Sequence, residues 1–218
     1  MRFSVIFDMD GVIVDNGHYH QLAWMAFCNS HKIPFSENEF KSRFFGRTNE
    51  QILPALFKKN LPPDEIDKLG EEKEAAYRKI YKPRMTPVKG LIPFLAGLKK
   101  GGYPVAIATS APKSNIDFVL KGIKIQHFID CVVDDKMVAR GKPDPEIYLK
   151  TASLLNTAPY NCVVFEDSLS GTKSAFDAGT KVVGLTTTMP ENEHKYVHHV
   201  IRDFSEISVE LLSEIFFQ

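Results

Sequence analysis

The stretch Ser4–Asp15 reads Ser-Val-Ile-Phe-Asp-Met-Asp-Gly-Val-Ile-Val-Asp and constrains the fold more than any other. Val5, Ile6 and Phe7 make a short β-branched and aromatic run of the kind buried on both faces of a parallel sheet. It gives way at once to Asp8, Met9, Asp10 and Gly11. Two carboxylates one residue apart therefore stand where a central strand ends, the position at which open α/β sheets bind their ligands. In an extended segment Asp8 and Asp10 fall on the same side. Gly11 lets the backbone turn or come close to a neighbouring group. Taken alone, Asp-x-Asp after a strand also fits a plain polar turn.

The rest of the chain repeats this plan. From Gly90 onward, helical and strand patterns alternate. Leu91 to Lys100 is amphipathic and closed by Gly101-Gly102, with two lysines at the negative helix end. Pro104 to Ala108 reads as a strand, Asn115 to Lys121 as a helix, and Cys131 to Val133 as a short strand. Asp144-Pro145 opens a helix to Leu155. Cys162 to Phe165 is a strand, Ser170 to Ala178 a helix and Lys181 to Leu185 another strand. Strands alternating with helices imply right-handed crossovers, and hence an α/β fold: a Rossmann-like parallel sheet with helices on both faces.

Between Asp15 and this alternation lies a stretch with little strand character. A helix is expected over His18 to His31, stopped before Pro34. A second runs from Ser36 or Glu37 toward Arg43. Phe45 to Asn49 looks like a loop, with Thr48 or Asn49 capping a helix through Phe57. Pro62 and Pro63 interrupt the chain, and Asp64 begins a helix toward Tyr81. The chain thus divides into a core of residues 1–15 and 83–218 and an inserted helical domain of residues 16–82, hinged near Asn16-Gly17 and at the proline-containing segment Lys82 to Val88.

Three further strand ends carry groups that complement Asp8 and Asp10. Thr109-Ser110 could bind an anionic oxygen or cap the next helix. Lys142, within Arg-Gly-Lys-Pro-Asp-Pro, could be a solvated loop residue or reach an anion at the sheet edge. Glu166-Asp167 could be a polar strand end or a ligand pair. Together, Asp8, Asp10, Glu166 and Asp167 offer hard oxygen ligands suited to Mg²⁺. Thr109 and Lys142 would surround a phosphoryl group. A carboxylate nucleophile, a metal and a lysine are the ingredients of phosphoryl transfer through an aspartyl phosphate. No Gly-Lys-Ser/Thr phosphate loop occurs, which argues against P-loop chemistry.

With 27 basic and 27 acidic residues the formal net charge is zero, so nothing in the composition points to nucleic acid. Cys28, Cys131 and Cys162 are odd in number and widely spaced, which favours free thiols over disulfides or a metal site. The start of the chain has no signal-peptide pattern, and no stretch approaches the roughly 20 apolar residues of a membrane span. A cytoplasmic monomer without membrane or nucleic-acid partners is expected.

In order, Asp8-Met-Asp-Gly-Val, Thr109-Ser110, Lys142-Pro143 and Glu166-Asp167-Ser168 resemble the four motifs of the haloacid dehalogenase superfamily, in its phosphatase branch. The likeness extends over the whole chain, the insertion matching the family's small helical cap. It implies that Asp8 is the nucleophile and that Asp10 is the general acid and base, also giving its backbone carbonyl to Mg²⁺. It further implies that Asp167, with Glu166, completes the metal site. Tyr19-His20-Gln-Leu-Ala-Trp24 resembles the cap entry of the β-phosphoglucomutase-like subfamily, and Lys73 falls where the mutases have a cap lysine. Asn49 stands where they carry a phosphate-binding arginine, with Arg47 nearby, and Asn16 replaces a hinge threonine.

By this resemblance Ser110, His20, Arg47, Asn49 and Lys73 are candidate substrate contacts. The expected activity is Mg²⁺-dependent hydrolysis of a small phosphorylated metabolite such as a sugar phosphate. β-Phosphoglucomutase, inorganic pyrophosphatase and a non-catalytic phosphometabolite-binding protein stand as alternatives.

Overall fold

The computed structural model describes residues 3–37 and 47–217. The helix expected from Ser36 or Glu37 toward Arg43, and the Phe45-Gly46 part of the expected loop, lie largely outside these residues. The chain divides into two compact units, residues 1–15 with 86–218 and residues 16–85.

The larger unit is built on a six-stranded sheet with the order β3-β2-β1-β4-β5-β6. The strands are β1 (Ser4–Phe7), β2 (Val105–Ala108), β3 (Cys131–Val133), β4 (Cys162–Glu166), β5 (Lys181–Leu185) and β6 (His199–Ile201). Every adjacent pair is parallel. All residues of β1, β2 and β4 are buried, as the near-continuous apolar runs require of strands covered on both faces. The strand order reverses at β1 and β4, which makes their carboxyl ends the topological switch point of the sheet.

Alternation along β1 supplies two different cores. Phe7 stacks on Phe165 with ring centroids 5.0 Å apart, and both meet Phe94 of the helix Leu91–Gly101 and Phe204. On the same face, Phe3 stacks on Phe216 of the helix Val209–Phe217. On the opposite face, Ile6 and Val164 pack with Ile147, Tyr148, Ala152 and Ala175, carried by the helices Glu146–Leu154 and Leu169–Asp177.

The expected strands all form within a residue or two of their sequence bounds. Among the described residues, one strand and one α-helix were not marked by the sequence pattern. β6 is only three residues long and begins on a histidine, too short for an alternation signal. The helix Val209–Phe217 is short, and the phenylalanines near its end do not distinguish helix from strand. Cys28, Cys131 and Cys162 are free, as expected. No helix among the described residues is long and apolar enough to cross a membrane.

The smaller unit contains the helices Gly17–Ser30, Asn49–Phe57 and Pro63–Tyr81. Thr48, not Asn49, occupies the N-cap of the second, and the third begins on Pro63 with Asp64 and Glu65 in its first turn, where the helix dipole favours negative charge. Trp24, Phe27, Cys28, Ile52, Leu53 and Leu61 form its apolar core. Trp24 is thus a packing residue.

Phe94 joins a helix to the aromatic layer under β1 and β4. Phe94→Ala should destabilise the protein by about 3–5 kcal/mol, read as a lowered midpoint in urea denaturation with little change in slope. A loss within about 0.5 kcal/mol, the range of a surface substitution, would show that this layer does not hold the helix.

Candidate active site

Sheet register brings the motifs together. Phe7 pairs with Phe165 and Ile107, so Asp8 leaves β1 beside the ends of β2 and β4. The Asp8 N–H donates to the Phe165 carbonyl at 3.0 Å, fixing the first residue beyond the strand. Lys142 lies in the segment before the helix Glu146–Leu154, and its Nζ donates to Asp8 Oδ1 at 2.5 Å, Glu166 Oε1 at 2.7 Å and the Ala108 carbonyl at 3.2 Å. The lysine is therefore neither solvated nor a loose loop residue.

Glu166 is the most heavily bonded carboxylate of the group. Its Oε1 accepts from Lys142 and, at 2.8 Å, from the hydroxyl of fully buried Tyr148. Its Oε2 accepts the N–H groups of Asp167 and Ser168 at 2.9 and 3.2 Å and the Ser168 hydroxyl at 3.2 Å. A Cβ at Gly171 would lie 1.7 Å from Glu166 Oε1, so only glycine lets the start of the helix Leu169–Asp177 come this near. Gly11 does the same for Asp167: its φ is +81° and a Cβ would lie 1.9 Å from Asp167 Oδ2. Neither Tyr148 nor Gly171 was singled out by sequence, although Tyr148 stands one helical turn beyond Asp144-Pro145 on an apolar face.

Oxygens of buried Asp8, Glu166 and Asp167 lie within 4.8 Å of one another and could hold a metal ion. The Asp10 carboxylate stands outside this threesome, and Asp10 is half-buried. Such crowding is costly for ionised groups. Burial, together with the charges of Glu166 and Asp10, raises Asp8 to about 8, against the pull of Lys142. Burial, then Glu166 and Asp8, hold Asp167 well above the ordinary carboxylate range. Glu166 is itself lowered, because Lys142 and its hydrogen bonds outweigh its burial. Lys142 is raised well above its ordinary value, because Asp8 and Glu166 outweigh the effect of its burial. One ammonium thus faces three carboxylates. A hard divalent cation held by this all-oxygen donor set would let all three ionise, so the residues fit a metal of that kind.

Thr109 follows β2 and is buried, its hydroxyl accepting the Ala111 N–H at 3.1 Å, with half-buried Ser110 next to it. In the smaller unit, Lys73 Nζ lies 2.9 Å from His20 Nδ1 and donates to Glu74 Oε1 at 2.8 Å. Asn49 Nδ2 donates to the same Glu74 oxygen at 2.9 Å. Lys73 also lies 5.1 Å from the centre of the Trp24 ring, and His20 stacks on Tyr77 at 3.9 Å. Despite its burial Glu74 is pulled down to about 2 by Lys73 and His20. Sequence reasoning marked His20, Asn49 and Lys73 but not Glu74, the group that gathers Asn49 and Lys73. Arg47 is exposed.

A family model described as haloacid dehalogenase-like hydrolase matches residues 5–185. The chain belongs to that family. It is 30% identical to a β-phosphoglucomutase from Bacillus subtilis, over 97% of this chain and 94% of that protein. It is 29% identical to a validoxylamine A 7′-phosphate phosphatase from Streptomyces hygroscopicus, over 93% and 94% respectively. A solved haloacid dehalogenase-family hydrolase from Entamoeba histolytica superposes with a TM-score of 0.92 at 30% identity, covering 100% of both chains. Within the family the chain falls with the phosphatases of the β-phosphoglucomutase-like group.

The raised Asp8 carboxyl has a consequence for stability. Its folded value of about 8 exceeds the ordinary unfolded value of about 4, so between these limits the folded protein binds more protons than the unfolded one. The Asp8 contribution to stability therefore falls as pH rises through that window. Urea unfolding of chelator-treated protein at about pH 5 and about pH 8 should show a fall that Asp8→Asn reduces. An equal fall in the variant would contradict this assignment.

Proposed function

We propose that this protein hydrolyses the phosphate monoester of a small, hydroxyl-bearing metabolite such as a sugar phosphate, using Mg²⁺ and an aspartyl-phosphate intermediate. The observation that carries the reading is the buried contact of Lys142 with Asp8, set beside Glu166 and Asp167 at the switch point of the sheet. Asp8, Glu166 and Asp167 would hold the cation, together with the Asp10 segment. When bound, the cation supplies charge neutralisation for the carboxylates and for the phosphoryl oxygens.

In the first step an oxygen of ionised Asp8 attacks phosphorus while protonated Asp10 gives its proton to the departing alkoxide. In the second step Asp10 takes a proton from water, which attacks phosphorus and releases Asp8 and inorganic phosphate. Lys142 keeps Asp8 oriented and balances the negative charge that gathers there. Thr109 and Ser110 are proposed to hold phosphoryl oxygens through hydroxyl and backbone N–H groups. The unit of residues 16–85 is proposed to act as the cap, with His20, Arg47, Asn49 and Lys73 serving selectivity.

The mutase reading requires a cationic site for a second, non-reacting phosphate. In the smaller unit the Lys73 ammonium is already matched by ionised Glu74, and Asn49 is neutral. A neutral amide is a weaker and less directional phosphate ligand than an arginine fork. This favours hydrolysis.

A panel of sugar phosphates, polyol phosphates and pyrophosphate should reveal Mg²⁺-dependent phosphate release, abolished by chelation. Asp8→Asn should lower turnover by several orders of magnitude while leaving the fold intact, because it removes a covalent step. With β-glucose 1-phosphate and catalytic glucose 1,6-bisphosphate, free phosphate should exceed glucose 6-phosphate. Rapid glucose 6-phosphate formation with negligible phosphate release would make the protein a mutase.

A further inference from the structure

Beyond the four motif segments, a run of three threonines, Thr186-Thr187-Thr188, leaves the end of β5 and crosses the carboxylate site. Its start is anchored by the Thr186 N–H, which donates to the Ile201 carbonyl of β6 at 3.1 Å. The next two hydroxyls then reach two different loops. Thr187 Oγ1 donates to the Gly11 carbonyl at 2.5 Å, in the turn directly after Asp10. Thr188 Oγ1 donates to Asp167 Oδ2. That same oxygen packs against the Gly11 backbone, in the space a side chain would need. The loops after β1, β4 and β5 are therefore tied to one another at a single point beside the three-carboxylate cluster.

We propose that Thr187 and Thr188 are positioning residues for the metal site, with Thr188 fixing the rotation of the Asp167 carboxylate and Thr187 fixing the Asp10–Gly11 turn. A free aspartate can rotate about its side-chain bonds, and turning either oxygen toward a cation costs entropy on each binding event. With Oδ2 bonded to the Thr188 hydroxyl and packed beside Gly11, Oδ1 would be the oxygen left to meet an ion. Hydrogen-bonded partners behind a ligating carboxylate typically account for 10–100-fold in metal affinity. The threonines touch neither phosphorus nor the leaving group in this scheme, so they act through Asp167 and Gly11.

The inference rests on the metal-dependent reading above, and its test is binding of Mg²⁺ itself. Isothermal titration calorimetry with MgCl₂ alone should show wild-type binding, about 10–100-fold weaker binding by Thr188→Val, and Thr188→Ser within about threefold of wild type. Thr187→Val should weaken binding in the same direction and Thr187→Ser restore it. The increase in melting temperature on adding MgCl₂ should shrink in the valine variants and recover in the serine variants. A purely structural role would lower the metal-free melting temperature and leave Mg²⁺ affinity unchanged. If Thr188→Val does not fold, Thr188→Ala carries the same expectation. Equal Mg²⁺ affinity in wild type and the folded valine or alanine variants overturns the positioning role and leaves the metal-dependent reading standing. Absence of Mg²⁺ binding by wild type overturns both.

Discussion

The contact on which the larger unit's site depends is a buried ammonium shared between two buried carboxylates. Lys142 lies 2.5 Å from Asp8 and 2.7 Å from Glu166, and all three groups are removed from water. Burying a charge is costly unless it is paired and hydrogen-bonded. Here the pairing is incomplete, because Asp167 adds a third carboxylate and its side-chain partner among the described residues is the neutral Thr188 hydroxyl. The result is a carboxyl at Asp8 and another at Asp167 held above their ordinary range, each ready to release its proton to a site that gains positive charge. A site so biased stores little net stability. It is held in place by the fold around it.

That support comes from parallel pairing. β1, β2 and β4 are buried on both faces, so their registers cannot slip without exposing apolar side chains. Their carboxyl ends consequently present Asp8, Thr109 and Glu166 side by side. Glycine at positions 11 and 171 then allows backbone to approach the carboxylates at distances no other residue permits. Tyr148 secures one oxygen of Glu166 from the helix below, while backbone N–H groups at the start of the next helix secure the other. Rigidity at Glu166 leaves Lys142 a fixed counter-charge, and Lys142 in turn orients Asp8.

The smaller unit uses a similar device for a different end. Its polar cluster pairs Lys73 with Glu74 inside an aromatic surround of Trp24 and Tyr77. The pair is charge-balanced, so it needs no external anion to be stable. Under the proposed function, this balance would favour hydroxyl groups over a second phosphate, since hydroxyls can both donate to a carboxylate and accept from an ammonium.

Much of this protein was legible in its residues. The runs Val5-Ile6-Phe7 before Asp8 and Val163-Val164-Phe165 before Glu166 suited buried strands ending in acids, because short β-branched and aromatic runs favour a covered sheet and carboxylates favour its open end. The break in strand character after Asp15 marked a separate helical stretch for the same reason. Tertiary structure decided what no local pattern encodes. Tyr148 lies within the expected helix to Leu155 without any mark of its own, and only packing shows its hydroxyl on Glu166. Glu74 lies unmarked within the expected helix toward Tyr81, and only tertiary packing buries it beside Lys73 and Asn49. Thr187 and Thr188 follow the expected strand Lys181 to Leu185 with no pattern of their own, yet they span 176 and 21 residues of sequence to reach Gly11 and Asp167. Periodicity reports which way a side chain faces within its own element. Which group waits there is set by strand order and register, which bring distant segments of the chain to the same edge of the sheet.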